Sequence, residues 1–342
     1  MNIICVEEHA IHSATARAAH RAVMAEAPCA GLVDSANVAS RPHDDHRPTV
    51  VAMPEALALG ADLGEGRIKN MDAHGIQMQV VSWTTPTQLA PADQAAALAQ
   101  AANNQLAEAT AASPARLSGL AALPWQDPQA AAAELDRSVT QLGLKGALLM
   151  GRPGATFLDD PKYAPVLQKL NELKVPLYAH PGYPLPTVQQ AYYSGFSPEV
   201  TAQFSLPGWG WHHEAGIHVL RLILSGAFEK YPSLQVISGH WGEMVPFYLS
   251  RLDSVIPRNV TGLSKSITET YRSNVWVTPS GLFDAPHFQF IRDTVGVDRL
   301  IWSVDYPYLT LDGTRKFVDG LPVSEEERHK ITHRNAEALF RL

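Results

Sequence analysis

Cysteine is scarce in this chain, which has only Cys5 and Cys29 among 342 residues. Two cysteines cannot form the disulfide framework of a small secreted domain, so we expect a reducing, cytoplasmic location. Basic residues are also few, since 27 Lys and Arg stand against 34 Asp and Glu. We predict no nucleic-acid partner, because the phosphate backbone is bound by clustered Lys and Arg.

The start of the chain lacks a long apolar run. Its first residues, MNIICVEEHAIH, contain no basic segment and soon reach the carboxylates of Glu7 and Glu8. They fit neither a signal peptide nor a membrane span, so we expect no membrane partner. The chain has instead 46% hydrophobic and 18% charged residues, which is enough for a sizeable buried core.

Three common catalytic motifs are also missing. The sequence has no G-x-S-x-G elbow and no G-x-x-x-x-G-K-[ST] loop, and GWGWHH lacks the third glycine of a dinucleotide fingerprint. These absences argue against a serine hydrolase of the elbow type, a P-loop enzyme and a dinucleotide-binding enzyme.

Eight short apolar runs alternate with helical stretches. Such runs are typical of strands covered on both faces, and eight of them separated by helices favour a (β/α)8 TIM barrel over an open sheet. Helices are predicted at 91–111 and at 127–143, where Asp127 is the expected N-cap and Pro128 the first helical residue. The predicted strands cover 2–7, 77–83, 116–123, 145–150, 175–180, 234–239, 274–280 and 299–304.

Two long stretches fall outside this alternation. Residues 10–60 contain the polar loop RPHDDHRP, and residues 181–215 are rich in aromatic residues, Pro and Gly. Long insertions of this kind are usually functional, so both are predicted to cover the catalytic face of the barrel. No break in composition divides the chain, and residues 1–342 are predicted to form one domain.

Residues that bind metals or transfer protons follow several predicted strands. Glu7 and His9 lie two apart on the first strand and so share one face, whereas His180 and Asp305 end two other strands. The carboxyl ends of barrel strands meet at one face, which predicts a single centre for a divalent ion such as zinc or manganese, with magnesium as an alternative. The competing interpretations are a solvated carboxylate for Glu7 and a hydrogen-bonded core histidine for His180.

His240 and Glu243 in SGHWGE form a second candidate group, predicted to hold or transfer protons. Asp305 has two candidate roles, as a metal ligand and as a catalytic acid. One metal ion is expected rather than two, because Lys145 begins the fourth strand and cannot bridge ions at its far end. Loop residues 43–46 are expected to be solvated. The residues of the predicted helix 212–226 are expected to have packing or capping roles.

Five segments together resemble the amidohydrolase superfamily, in its branch of aminocarboxymuconate-semialdehyde and o-hydroxybenzoate decarboxylases. They are EEH at 7–9, HPG at 180–182, the stretch 216–243, SRLD at 250–253 and SVDYPY at 303–308. Glutamate in place of the first histidine of H-x-H is similar to the decarboxylases of phenolic acids. One departure is HPG, where several relatives have HPR.

The resemblance implies roles for individual residues. The metal ligands would be Glu7, His9, His180 and Asp305, with His240 and Glu243 beside the reacting carbon. Arg251 would reach the pocket of a neighbouring subunit, which implies a homodimer or homotetramer. Tyr308 and Phe196 are the aromatic candidates for contact with the substrate ring.

The function implied is a metal-dependent, non-oxidative and reversible decarboxylation of an ortho-hydroxylated aromatic acid. Asp305 would protonate the ring carbon that bears the carboxylate, and carbon dioxide would leave. The alternative is a metal-dependent hydrolase of a lactone, ester or amide, with Asp305 as the base. A third interpretation is a non-enzymatic barrel that keeps the metal for stability or partner binding.

Overall fold

A computed structural model describes residues 2–32 and 47–342 of the chain. The predicted solvated residues 43–46 lie outside these two ranges. Among the helices of the described ranges, none is both long enough and apolar enough to span a bilayer. The single domain over residues 1–342 stays a prediction.

Parallel strands form the wall of the structure. They pair in the orders β1-β2-β3 and β4-β5-β6-β7. In the described ranges the strands are β1 (Ile4–Ala10), β2 (Met78–Trp83), β3 (Leu117–Gly119), β4 (Ala147–Met150), β5 (Leu177–His180), β6 (Val236–Ser238) and β7 (Val275–Val277). Seven predicted strands are thus confirmed, with shorter bounds at several ends.

Single pairings close the two groups of strands into one barrel. A parallel bridge joins Ala121, just after β3, to Ala147, and another joins Val277 to Leu300. The wall segment 300–304 then returns to β1, where the Val6 N–H donates to Trp302 O at 2.9 Å. The predicted (β/α)8 barrel is therefore confirmed.

The eighth wall segment, 300–304, has no regular hydrogen-bond ladder, so the prediction of a strand at 299–304 was wrong in this respect. At two positions side chains replace backbone partners. The Glu8 carboxylate accepts from the Val304 N–H at 2.9 Å, and the Ser303 hydroxyl accepts from the Ser280 N–H at 2.9 Å. Polar side chains near a site can compete with strand pairing in this way.

The helices surround this wall, and both predicted helices are confirmed. Asp127 caps α5 by accepting from the N–H groups of Gln129 and Ala130. The segment 181–215, predicted to cover the site, is mostly helical. The helices of the described ranges are α1 (Ser13–Glu26), α2 (Met53–Ala61), α3 (Glu65–Ala73), α4 (Ala92–Ala112), α5 (Pro128–Thr140), α6 (Ala164–Leu173), α7 (Pro186–Val188), α8 (Pro198–Ser205), α9 (Gly210–Leu224), α10 (Ala227–Lys230), α11 (His240–Glu243), α12 (Val245–Val255), α13 (Arg258–Thr261), α14 (Ile267–Asn274), α15 (Ala285–Thr294), α16 (Thr314–Gly320), α17 (Glu325–His329) and α18 (Asn335–Phe340).

Two apolar layers hold the wall in place. Alternate strand residues fill the barrel interior, among them Ile4 and Val6 of β1, while Ile3 and Cys5 belong to the layer between the wall and the helices. Fully burying an aliphatic side chain stabilises a fold by about 1.5–3 kcal/mol. The two layers therefore give the catalytic end of the barrel a rigid base.

A bulge in β1 changes this alternation next to the site. The pairing passes from Cys5–Gln79 directly to Glu8–Val81, so β1 contains one residue more than β2 over this stretch. Strict alternation from Val6 would turn the next side chain away from the interior. The extra residue instead lets Glu7 follow Val6 towards the barrel centre.

Candidate metal centre

Four side chains from three parts of the wall converge at its carboxyl end. Glu7 and His9 come from β1, His180 ends β5, and Asp305 follows segment 300–304. One ligand atom of each lies within 4.8 Å of those of the other three. His9 Nε2 is 3.1 Å from Asp305 Oδ1, and His180 Nε2 is 3.6 Å from Glu7 Oε1. The structure therefore brings together all four residues that the sequence pattern selected.

These four facing atoms are buried, and none has a hydrogen-bond partner within the described ranges. Buried polar atoms are normally paired, because leaving one without a partner costs about 1–3 kcal/mol. A divalent cation is a partner that two imidazole nitrogens and two carboxylate oxygens can share. The donor set therefore fits a metal ion.

The second oxygen of Glu7 is already engaged. Glu7 Oε2 accepts from the hydroxyls of Thr278 at 3.1 Å, of Ser303 at 3.2 Å and of Ser280. Burial would raise the pKa of Glu7, but the neighbouring imidazoles and the Ser280 hydroxyl keep it below its ordinary value. Glu7 is therefore ionised and has Oε1 free for a ligand.

Both histidines of the cluster are oriented through Nδ1. His180 Nδ1 donates to Pro181 O at 2.8 Å; a carbonyl can only accept, so Nε2 presents its lone pair to the cluster. His9 Nδ1 lies 3.0 Å from Ser82 Oγ. Burial lowers the pKa of each imidazole to about 4. Both rings are neutral at pH 7, which is the form that binds metals.

Asp305 lies nearest to the open side of the cluster. Its side chain is 17% exposed, whereas that of His9 is 0% exposed. Its backbone is left-handed, with φ of 73°, and its N–H donates to Glu7 O at 3.1 Å. Burial and then the Glu7 carboxylate raise the pKa of Asp305 to about 7. The same residue can thus serve as a ligand when ionised and as an acid when protonated.

His240 and Glu243 lie on α11, a turn that follows β6. The strand predicted over 234–239 ends one residue earlier, because β6 stops at Ser238, and His240 follows it by two residues. His240 Nδ1 and Glu243 Oε1 are 2.8 Å apart. Burial lowers the pKa of His240, but Glu243 and then Glu7 raise it to about 9, so the ring is protonated at pH 7.

The link between His240 and Asp305 is electrostatic. In the described part of the chain no hydrogen bond joins them, and the His240 charge acts to lower the pKa of Asp305. The side chain of His240 is 12% exposed and that of Glu243 is 0% exposed. The two more exposed residues of the site, Asp305 and His240, are therefore those that can exchange protons with a ligand.

His212 of α9 completes the second group, and the sequence analysis missed it. Its Nδ1 lies 3.0 Å from Glu243 Oε2, and its ring centroid is 4.3 Å from that of His240. Residue type alone could not reveal this contact, because His212 and Glu243 are 31 positions apart in the chain.

Comparison with known proteins identifies the family. The model of the Amidohydrolase family matches residues 60–342. The chain belongs to the amidohydrolase family.

Two decarboxylases are similar to this chain over most of their length. The decarboxylase orsB of Emericella nidulans is 33% identical over 302 residues, which covers 86% of this chain and 90% of that protein. The gamma-resorcylate decarboxylase of a Polaromonas species is 34% identical over 303 residues, covering 84% of this chain and 90% of that protein.

A solved structure from the amidohydrolase family supports the same relationship. The dihydroxybenzoic acid decarboxylase of Polaromonas, with bound manganese and the inhibitor 2-nitroresorcinol, is 32% identical. It superposes with a TM-score of 0.83, covering 100% of this chain and 98% of the other.

The three predicted substrate-binding residues of this amidohydrolase-family chain have different positions. The Tyr308 hydroxyl is 2.7 Å from Thr84 Oγ1, and its ring centroid is 5.9 Å from that of His9. Phe196 is 57% exposed and packs edge-on against Phe204. Arg251 is exposed on α12 and forms no hydrogen bond or ion pair with the described residues. The structure thus brings only Tyr308 to the metal centre.

A close contact between two backbone segments explains why glycine occupies the third position of HPG. A Cβ added to Gly182 would lie 2.4 Å from the Cα of Gly151, which follows β4. An arginine cannot occupy this position while the two backbones approach so closely. The nearby Arg152 is buried and pairs with Glu214 of α9 at 3.0 Å. The absent arginine of HPR is therefore a consequence of how β4 and β5 meet.

A layer of polar residues that the sequence did not reveal supports the candidate ligands. Arg67 is buried and donates to His9 O at 2.6 Å and to Gln79 Oε1 at 3.0 Å. The signal that could have identified such residues is a polar side chain inside an apolar run near a strand end. Those in contact with a ligand side chain are Ser82, Thr278, Ser280 and Ser303.

Proposed function

We propose that this protein is a metal-dependent, non-oxidative decarboxylase of an ortho-hydroxylated aromatic carboxylic acid. The observation that carries the proposal is the convergence of four buried, unpartnered ligand atoms beside the His240–Glu243 pair. The names of the similar proteins, which are decarboxylases of dihydroxybenzoates, support this reaction class.

Glu7, His9, His180 and Asp305 would hold one divalent ion. Their two imidazoles and two carboxylates suit manganese or zinc, with magnesium third because it prefers an all-oxygen set. The manganese in the Polaromonas structure supports manganese as the first choice. When bound, the ion would supply Lewis-acid chemistry and a template for the carboxylate and phenolic oxygens of the substrate.

The substrate class proposed is a benzoate with a hydroxyl group next to the carboxylate, such as 2,6-dihydroxybenzoate, 2,3-dihydroxybenzoate or salicylate. Tyr308 would lie against the ring, because it is held beside His9 by its hydrogen bond to Thr84. Burial raises the pKa of Tyr308, so its hydroxyl stays neutral and adds no negative charge beside an anionic substrate.

Asp305 would deliver the proton in the chemical step. Burial and then the Glu7 carboxylate raise its pKa to about 7, whereas a bound cation would lower it, so Asp305 would carry the proton only while it is not a ligand. The proton adds to the ring carbon that bears the carboxylate and interrupts aromaticity. The bond to the carboxylate then breaks, its electron pair returns to the ring, and carbon dioxide leaves. His240 would position Asp305, and Glu243 would tune His240. Asp305, whose side chain is 17% exposed, would regain its proton from solvent after each turnover.

The test measures carbon dioxide release from the three benzoates after removal of metal and reloading with manganese, zinc or magnesium. We expect carbon dioxide and the matching phenol from at least one substrate, and carboxylation of that phenol at high bicarbonate. An acid formed from an ester or lactone without carbon dioxide would instead identify the hydrolase.

Asp305→Asn should lower kcat by about 10²–10⁴-fold, because it removes the general acid. Metal content, measured on the same samples, separates this loss from loss of the ion. Asp319→Asn is the matched control, since Asp319 is 52% exposed and pairs with Arg315. Near wild-type turnover of Asp305→Asn with metal bound would show that another group is the acid.

The assembly and location of the enzyme remain proposals. A homodimer or homotetramer would give Arg251 a partner in a neighbouring pocket, and the exposure of this side chain supports that role. Phe196 would contact a substrate ring only if the 181–215 segment moved or if the subunits assembled through it. The cytoplasmic location rests on composition alone.

A further inference from the structure

His212 and His240 lie side by side, with ring centroids 4.3 Å apart, and each contacts one oxygen of the Glu243 carboxylate. Glu243 Oε2 is 3.0 Å from His212 Nδ1, and Glu243 Oε1 is 2.8 Å from His240 Nδ1. The carboxylate is fully buried next to the two rings, whose side chains are 19% and 12% exposed. Each oxygen of Glu243 therefore has one imidazole partner.

The backbone around Glu243 leaves this carboxylate dependent on those two contacts. Glu243 is in the left-handed region, with φ of 52°, as is His240, with φ of 46°. Such residues persist only when their surroundings hold them. Although burial would raise the pKa of Glu243, His212 and then His240 keep it below its ordinary value. The carboxylate is thus ionised and accepts from both rings.

The outer nitrogen of His212 is also held. His212 Nε2 lies 3.0 Å from the indole N–H of Trp211, which can only donate, and 3.0 Å from Pro207 O, which can only accept. Neutral and protonated forms of the ring each find a partner here. His212 therefore keeps its orientation towards Glu243 in both forms.

We infer that His212 is a positioning residue: it fixes the Glu243 carboxylate through Oε2, so that Oε1 of Glu243 holds His240 against the reacting centre. This inference rests on the proposed decarboxylation and deepens it. Without His212 one buried oxygen of Glu243 loses its partner, and the carboxylate can rotate away from His240. The ring of His212 also packs against that of His240, with centroids 4.3 Å apart, and a phenylalanine at 212 keeps a ring there while it removes the hydrogen bond to Glu243.

Three variants in the manganese-loaded enzyme test the role. His212→Phe keeps a ring but removes the N–H, and should lower kcat by about 10–100-fold with KM and metal content nearly unchanged. His212→Asn places an amide N–H near the former Nδ1 and should restore much of the loss. His213→Phe is the matched control, because His213 is exposed and stacks on Trp209.

A double-mutant cycle with Glu243→Gln decides whether His212 acts through Glu243. We expect His212→Phe to cause no further loss of kcat in the Glu243→Gln background. Independent, multiplying losses would overturn the inference, as would unchanged kcat in His212→Phe or an equal loss in His213→Phe.

The low-field N–H proton resonance of His240 gives a readout that needs no substrate. It should broaden or vanish in His212→Phe and persist in His213→Phe, and persistence in both would contradict the inference. If the wild type releases carbon dioxide from none of the benzoates, the proposed function fails. The resonance still shows whether His212 is needed to hold Glu243 against His240.

Discussion

Glu7 illustrates how a buried carboxylate is stabilised in this site. Desolvation of an ion costs several kcal/mol unless hydrogen bonds and opposite charges replace water. Three hydroxyls engage Oε2, which leaves Oε1 directed at His180 Nε2, 3.6 Å away. The hydroxyls therefore decide which oxygen of Glu7 is free for a metal ion.

Thr278→Val tests this arrangement, because valine keeps the shape of threonine and removes the hydroxyl that donates to Glu7 Oε2. Metal affinity should fall by about 10–100-fold, as is usual when a group behind a ligand is removed. Titration of the metal-free protein with manganese measures the change. The same substitution at Thr294, at the end of α15, is the control, and equal affinity of both variants would contradict the assigned role.

Gly182→Ala tests the close approach of β4 and β5. The new Cβ would meet the Gly151 backbone at 2.4 Å, so we expect a loss of about 3 kcal/mol in the free energy of unfolding. Urea unfolding measures the loss. Gly154→Ala is the control, because its nearest neighbour, the Tyr163 hydroxyl at 3.4 Å, allows a Cβ. Equal stability of the two variants would show that the backbones at Gly151 and Gly182 can separate with little loss of free energy.

At the scale of elements, helix α9 connects the site to the loop after β4. Its first turn carries His212, and Glu214 pairs with Arg152 at 3.0 Å. One turn later, His218 Nε2 accepts from the Leu158 N–H at 3.2 Å, and the His218 ring packs on Phe157 with centroids 5.1 Å apart. These contacts give His218 the packing role expected from the sequence.

His218 should make stability depend on pH. Burial lowers its pKa to about 4 in the folded protein, against about 6.5 when unfolded. The unfolded chain therefore binds more protons between these values, and the contribution of His218, complete above pH 6.5, is lost as the pH falls towards 4. His218→Gln should make the slope of unfolding free energy against pH shallower by up to about 1.4 kcal/mol per unit.

Chemical denaturation at several pH values between 4 and 7 measures this slope. The other buried histidines are the same in the wild type and in His218→Gln, so the difference between the two slopes is due to His218. His213→Gln is the matched control, because it makes the same substitution at an exposed position. If His218→Gln and the wild type had the same slope of unfolding free energy against pH, the His218 ring would be protonated in the folded wild type.

At the scale of the whole molecule, the metal centre joins parts of the chain that meet only on folding. β1, β5 and the segment that ends at Asp305 each supply a candidate ligand, and their positions in sequence are far apart. The unfolded chain cannot present such a site, so metal binding favours the folded barrel.

Removal of metal should therefore lower the melting temperature. An ion at 100 times its dissociation constant stabilises the folded state by about 2.7 kcal/mol. Scanning calorimetry of the chelated and manganese-loaded protein measures the difference. Glu7→Gln, which loses a ligand, should show a smaller response. Unchanged melting after chelation, together with absence of bound metal in the purified protein, would contradict every metal-centred interpretation.

The architecture and the four candidate ligands could be predicted from the amino-acid sequence. Apolar runs separated by helices indicated the barrel, and the strand-end positions of Glu7, His9, His180 and Asp305 indicated the cluster, because both patterns are local and the ends of barrel strands share one face. The resemblance to known decarboxylases then indicated the reaction. These inferences needed no knowledge of side-chain packing.

Only the tertiary structure decided how those residues are supported. The bulge that admits Glu7 depends on pairing with β2, and the contact between His212 and Glu243 joins residues 31 positions apart. The irregular segment 300–304 arises because Glu8 and Ser303 replace backbone partners. Such features depend on which distant atoms meet, and a pattern within one segment carries no record of its partners in space.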